Sequence, residues 1–176
     1  MIRIRPERPG EADTVRAIHL AAFPTPVEAA LVDCLRTDGD ALVSLLADAG
    51  GELLGHVLFS PAGLDPPLPD VRAALLGPIA VMPAHQGRQL GTRLVLAGLE
   101  ACRAAEVRLV IVVGAPFFYR RFGFRPAQRL GLDGPWDRVP AFQAMELEPG
   151  CLGGYQGLVR YAPAFDRMGG PSATAA

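Results

Sequence analysis

The hydrophobic positions of this chain switch repeatedly between a period of two and a period near 3.6, the signatures of strands and amphipathic helices. "IRIRP" alternates and predicts a first strand. "PGEADTVRAIHLAAF" follows, with Val15, Ile18 and Ala22 on one helical face. "TPVEAALVDCLR" predicts a second helix, with Thr25 as N-cap, Pro26 at the first helical position and Glu28 closing a capping box. Val27, Ala30, Leu31, Cys34 and Leu35 fit its apolar stripe. "ALVSLLAD" and "ELLGHVLFS", joined by Gly50-Gly51, predict an antiparallel hairpin. "PAGLDPPLPD" reads as a loop on its proline content. "RAALLGPIAVMP" predicts a strand that Gly77-Pro78 must either bulge or leave without a partner on one side. A helix is expected from about Leu90 to Ala105. "VRLVIVV" reads as a strand buried on both faces, "PFFYRRF" as one or two helical turns ending at Gly123, and "AFQAMELE" as a late strand. The order predicts one α/β domain with a mixed sheet.

Composition narrows the class without naming it. At 176 residues the chain is long enough to bury a core, and half of it is hydrophobic. Net charge is −1, so no basic field argues for nucleic acid. All seventeen basic residues are arginine, which reads as GC-rich bacterial codon usage and leaves no lysine for a base or a Schiff base. Cys34, Cys102 and Cys151 form neither a metal-ligand spacing nor a disulfide framework, as expected in a reducing cytoplasm. "MIRIRPERPG" has no apolar signal core, and no stretch reaches the length of a membrane span. The expectation is a soluble, cytoplasmic protein with no metal, no nucleic-acid partner and no membrane partner. The tail "GGPSATAA" is expected to be disordered.

One stretch does not fit an ordinary helix start. "HQGRQLGTRL" places two glycines, two arginines and two glutamines ahead of the third helix, with no Ser, Thr, Asp or Asn at the cap. Helix N-termini present unpaired amides and the positive end of the dipole, and glycine lets a ligand approach the backbone closely. A phosphate or pyrophosphate is the natural occupant. The interrupted strand upstream leaves donors and acceptors on Ile79, Ala80 and Val81 that an extended amide-bearing ligand could pair with. A molecule with a pyrophosphate at one end and an amide-rich arm is coenzyme A.

"LLGPIAVMPAHQGRQLGTRL…FFYRRFGF" resembles the GCN5-related N-acetyltransferase (GNAT) superfamily, in its YhbS-type bacterial branch. The resemblance runs from "IRIRPERPGEAD" to about Glu148 and continues in "GLVRYAPAF". Its motif, Q/R-x-x-G-x-G/A followed by Y-x-x-x-G-F, is filled by Gln86, Gly91, Tyr119, Gly123 and Phe124. Gln89 stands where the family usually has its first glycine. The resemblance implies a GNAT fold over residues 1–148, a mixed central sheet with splayed parallel strands flanked by helices. It further implies an extension over 149–168 packed on that domain and a disordered tail over 169–176. Ile79, Ala80 and Val81 would hold the pantetheine arm of acetyl-CoA. Gln86 and the backbone of Gly87, Arg88, Gln89, Leu90, Gly91 and Thr92 would hold its pyrophosphate. Tyr119 would act as general acid, or as hydrogen-bond donor to the sulfur, and the Val81 N–H as oxyanion donor. The implied reaction moves the acetyl group to a primary amine, on a small molecule or a peptide, by direct attack in a ternary complex. Dimers are common among such proteins, so a homodimer is one expectation.

Several readings stay open at this point. The family often places a basic glutamate on the interrupted strand, and "AALLGPIAV" has no carboxylate. His56 shares a face with Leu54 and Leu58 and reads better as a buried structural histidine. Glu146 reads as a solvated strand carboxylate and His85 as part of a loop, while a base acting through water, or none, is equally admissible. None of the cysteines has an evident histidine partner, which disfavours an acyl-enzyme. Tyr119 could instead pack beside Phe117, Phe118 and Phe122. Trp136, Phe142, Tyr155 and Tyr161 could line an acceptor pocket or simply cover the sheet. The alternative function is an acyl-CoA-binding module that senses the cofactor and catalyses nothing. A nucleotide-binding α/β protein would need G-x-G-x-x-G or G-x-x-x-x-G-K-[ST], and neither stands at a strand-to-helix turn.

Overall fold

The computed structural model describes residues 1–134 and 140–169; Trp136 and most of the expected disordered tail fall outside them. The chain runs β1 (Arg3–Pro6), α1 (Ala12–Ala22), α2 (Val27–Thr37), β2 (Val43–Ala49), β3 (Glu52–Asp65), β4 (Ala73–Val81) and α3 (Leu90–Ala104). It continues with β5 (Leu109–Val113), α4 (Pro116–Tyr119), β6 (Arg125–Pro126), β7 (Leu132–Asp133), β8 (Phe142–Glu146), β9 (Gly157–Arg160) and α5 (Pro163–Arg167). The main path of the sheet is β1-β2-β3-β4-β5-β8-β6, and β9 joins β3 to β7. β4 and β5 pair in parallel, whereas β1 to β4 form an antiparallel meander. The mixed sheet flanked by helices is the expected class.

Alternation along the central strands feeds two cores. Leu109, Ile111 and Val113 of β5 pack with Val15, Ile18, Leu31, Val32 and Leu35 under α1 and α2. Val110 and Val112 pack with Leu94, Val95, Leu99 and Cys102 of α3. Burial on both faces is why this strand reads as an unbroken apolar run. Among the described residues, no helix is long and apolar enough to cross a membrane.

Two local expectations needed correction. Helix α2 begins one residue late, with Pro26 rather than Thr25 at its cap and no side chain capping it. The Thr25 hydroxyl instead contacts the Glu28 carboxylate at 3.5 Å, and Glu28 turns into the protein. Its buried face is accordingly Glu28, Ala29, Leu31, Val32 and Leu35, rotated from the stripe that included Val27, Ala30 and Cys34. Next, "PAGLD" is not loop but the far half of β3, pairing Pro61 with Ala74. Proline is tolerated because β2 has ended there: the last β2–β3 pair is Val43–Phe59. The C-terminal segment contributes β9, which pairs Gly63–Asp65 with Leu158–Arg160 and is reinforced by an Arg160–Asp65 ion pair of 2.6 Å.

Helix α3 lies close enough to β3 that Gly98 has no room for a side chain. A Cβ there would stand 2.3 Å from Cε2 of the fully buried Phe59. Glycine to alanine inside a helix ordinarily gains about 1 kcal/mol. Here we expect Gly98→Ala to lose about 1–3 kcal/mol through overpacking. Urea unfolding reads this directly, and a raised midpoint would show that α3 can back away from the sheet.

Candidate active site

The gap that organises the site begins at Gly77-Pro78. Opposite Val57 to Phe59, β4 carries one residue more than its partner, since Val57 faces Ile79 and Phe59 faces Leu76. Gly77 takes φ +135, a conformation that favours glycine. Pairing with β5 extends only from Ala73–Leu109 to Leu76–Val112. Past that point the parallel strands part. On the other side, the Met82 N–H donates to the Leu54 carbonyl at 2.9 Å. The alternation of an antiparallel ladder then turns Ala80 toward β3 and the polar backbone groups of Ile79 and Val81 into the gap. The expectation of free groups across Ile79, Ala80 and Val81 thus resolves into alternate residues. The Val81 carbonyl is taken by the Gln86 side-chain amide at 3.0 Å, which leaves the Val81 N–H facing the opening.

A cavity of about 250 Å³ lies where this gap meets the start of α3. Ile79, Val81, Gln86, Gly87, Gln89, Leu90, Gly91 and Thr92 line it together with His85, Phe117, Phe118 and Arg121. Ala80 and Arg88 are not in its wall: Ala80 packs on the opposite face, and Arg88 is exposed. Arg93 is engaged at the β1 edge of the sheet, donating to the Ile2 carbonyl at 2.7 Å. Arg121 sits 4.8 Å from the Phe118 ring centre, a cation–π contact that holds a positive charge at the rim. Phe117, Phe118 and Arg121 were not among the expected binding residues; "PFFYRRF" carried them, but only the turn of α4 brings them over the cavity.

The amides of Leu90, Gly91 and Thr92 precede the first helical hydrogen bond, from the Arg93 N–H to the Gln89 carbonyl. No side chain caps this end. Gln89 itself is left-handed, at φ 62, and Gly87 has φ 71. That conformation explains a glycine preference at position 89, and glutamine adopts it at a cost of about 1–2 kcal/mol. A Cβ on Gly91 would make only an ordinary 3.7 Å contact with Phe118, so this glycine matters for access rather than for conformation.

Tyr119 is fully buried, edge-on to Phe118 and Phe124 with ring centres 5.0 and 5.7 Å away, in one cluster with Ile79 and Val112. It lies behind the cavity wall rather than in it. Glu146 accepts from the Leu152 N–H at 3.0 Å and lies 3.9 Å from Arg125, bracing the C-terminal segment. Burial pushes the Cys102 thiol up to about 12 and, with help from Glu146, the Cys151 thiol up to about 11. Of the late aromatics, Phe142 is core, the Tyr155 hydroxyl donates to the Pro66 carbonyl at 2.7 Å, and Tyr161 leans on Phe165.

His56 is buried, as expected, but not alone. Its Nδ1 lies 2.8 Å from Nε2 of His19 on α1, and its Nε2 lies 2.8 Å from the Ser44 hydroxyl. Ser44 bonds the Glu7 carboxylate, which Arg36 pairs at 2.7 Å. Burial, with a smaller push from Arg36, lowers His19 to about 4; burial, His19 and Arg36 lower His56 well below its ordinary value.

Two stability predictions follow from this geometry. Folded, both histidines stay neutral, whereas in the unfolded chain they titrate near 6.5. Their contribution is complete above about pH 6.5 and declines below it, the His19 part being lost as pH approaches about 4. Thermal melts should therefore fall across that window, and His19→Gln should flatten the slope. For position 89, Gln89→Gly should raise or preserve Tm while Gln89→Val lowers it, because a β-branched residue tolerates the left-handed region worst.

Comparison with known proteins agrees with this geometry. The family model described as "Acetyltransferase (GNAT) family" matches residues 12–124. YhbS of Escherichia coli strain K12, described as an uncharacterised N-acetyltransferase, is 35% identical over 167 residues, 94% of this chain and 99% of its own. The crystal structure of E. coli YhbS in complex with CoA superposes with a TM-score of 0.88 at 33% identity, covering 94% of this chain and 92% of that one. A GNAT family acetyltransferase from Brucella melitensis in complex with acetyl-CoA gives 0.78 at 33% identity, covering 94% and 99%. An open parallel seam, an uncapped glycine-flanked helix start beside it and these matches lead to one statement: the chain belongs to the GNAT acetyltransferase family.

Proposed function

We propose that this protein transfers the acetyl group of acetyl-CoA to a primary amine by direct attack within a ternary complex. The observation that carries the reading is the coincidence of the β4–β5 gap with the uncapped start of α3 in one cavity. A pantetheine arm is strand-like in its amide spacing, and the alternate groups of Ile79 and Val81 suit it. The amides from Gly87 to Thr92 suit a pyrophosphate, with Arg121 supplying charge at the rim. Gln86 serves this arrangement indirectly, by occupying the Val81 carbonyl so that the neighbouring N–H remains the donor. That N–H is the group we assign to the thioester oxygen as negative charge develops there.

The proton for the departing thiolate is assigned to Tyr119. A phenol is acid enough for a thiolate, whose conjugate acid titrates near ~8.5. The ring sits in the same cluster as Ile79, edge-on to Phe118 and directly behind the cavity wall, and the assignment requires the sulfur to approach it through that wall. An acyl-enzyme is disfavoured on chemistry: buried thiols held protonated are poor nucleophiles, and neither Cys102 nor Cys151 contacts a histidine among the described residues. A small molecule or a peptide can present the amine, and Tyr119 favours catalysis over mere sensing.

The test has two parts. Isothermal titration with acetyl-CoA should show binding by the wild type and none by Gly91→Glu, whose carboxylate would occupy the anion site. Acetylation of spermidine, glucosamine, lysine and an alanyl peptide, followed by release of free thiol, should find an acceptor. Tyr119→Phe should then lower kcat by about 10- to 100-fold while leaving acetyl-CoA binding intact. A well-folded wild type that does not bind acetyl-CoA would sink the reading.

A further inference from the structure

The buried histidine pair has no part in the reaction as described so far, and its hydrogen bonds run in one direction only. The Glu7 carboxylate can only accept, so Ser44 spends its single proton on it. The Ser44 oxygen therefore accepts from His56, which places the proton of His56 on Nε2 and leaves its Nδ1 bare. His19 must then donate from Nε2 to that bare Nδ1. What is left over is the Nδ1 lone pair of His19, which is completely buried and has no hydrogen-bond partner among the described residues. Phe23 stacks on the same ring at 5.9 Å, and the α1–α2 junction follows directly.

Position gives this lone pair its meaning. His56 faces Ala80 across the β3–β4 ladder, at the centre of the segment that borders the gap. Side chains so paired stand about 5 Å apart. Ala80, Leu46 and Leu58 belong to the core under α1 and α2, whereas Ile79 and the cavity belong to the α3 side. A cofactor entering from the α3 side leaves the α1–α2 side of the seam for the amine. We propose that His19, His56, Ser44 and Glu7 form a proton relay that takes the ammonium proton from the bound acceptor and delivers it to the edge of the sheet.

The relay rests on the acetyltransferase reading, and its proton count closes. His19 Nδ1 takes one proton from the ammonium, by contact or through one water. The His19 Nε2 proton moves to His56 Nδ1, the His56 Nε2 proton to Ser44, the Ser44 proton to Glu7 and then to solvent. The freed amine forms the N–C bond as the C–S bond breaks. Its second departing proton replaces the one that Tyr119 gives to the sulfur, so ammonium and thioester become amide, thiol and one released proton. The charged groups beside the pair are Glu7, after β1, and Arg36, on α2; Arg36 also contacts Asp33, which pairs Arg16. Glu28 of α2 is buried at the start of the helix that covers this face. Burial keeps both imidazoles neutral at pH 7, so the relay begins with its acceptor lone pair available.

The test uses the full chain. Long-range ¹H–¹⁵N spectra of the wild type at pH 7 should show both histidines as Nε2–H tautomers; an Nδ1–H on His19 overturns the relay. His19→Gln keeps a donor toward His56 but removes the basic ring nitrogen that takes up the proton. With spermidine, glucosamine, lysine and the alanyl peptide as probes, it should lower kcat/KM for the amine about 100-fold at pH 7. The loss should shrink to a few-fold near pH 10, where the amine sheds its own proton, and acetyl-CoA binding should not change. Ser44→Ala should shift the same pH profile in the same direction. A loss equal at every pH, or no loss, overturns the relay while leaving the acetyltransferase standing. A wild type that binds acetyl-CoA yet acetylates none of the probes overturns the reading beneath it. Should His19→Gln fail to fold, the tautomers of the wild type decide.

Discussion

An extra residue in one strand is the constraint from which the site descends. Strands pair side by side only while their residues keep step, and β4 loses step with β3 between Leu76 and Ile79. Leu76 and Ile79 are three residues apart yet face the same core, which an unbroken strand forbids. The slip therefore does two things at once. It ends the partnership with β5, and it turns Ile79 and Val81 to the α3 side with Ala80 to the other. The helix start, the aromatic rim and the buried histidines are all arranged around that one irregularity.

The two faces of the seam have different physical characters. On the α3 side, polarity comes mainly from backbone: amides before the first helical turn and alternate groups of β4, backed by guanidinium at the rim. Backbone dipoles are fixed and do not titrate, which suits recognition of a large anionic ligand. On the α1–α2 side, polarity is sparse, buried and titratable, carried by His19, His56, Ser44 and Glu7. On the proposed reading, binding and proton handling are separated by the sheet itself.

Local signals in the chain carried most of this architecture. Alternation, the Gly50-Gly51 turn and the proline in β4 were enough for the meander, and "HQGRQLGTRL" marked the proposed anion site through what it lacks, a capping side chain. Pro61 misled because its fitness depends on where β2 stops, a fact that belongs to another segment. β6, β7 and β9 are two to four residues long, too short for any period to show. His56 could be seen to be buried, but its partner His19 stands 37 residues earlier on a helix whose stripe looked purely apolar. Gln89 is the instructive case: sequence marks it as a departure from glycine, and only the dihedral shows why glycine is favoured there.

The pairing of β9 with β3 has a consequence for the order in which the molecule assembles. Gly63 meets Arg160, so this ladder closes a loop of more than half the chain. Contacts that distant in sequence are entropically late, and on a ribosome they are late by necessity. The α1–α2 hairpin, the meander and α3 can all settle while the last strand is still being made. For that interval the far half of β3 presents Gly63 to Asp65 as an unfinished edge, the place where a nascent chain of this kind is most exposed to the wrong partner.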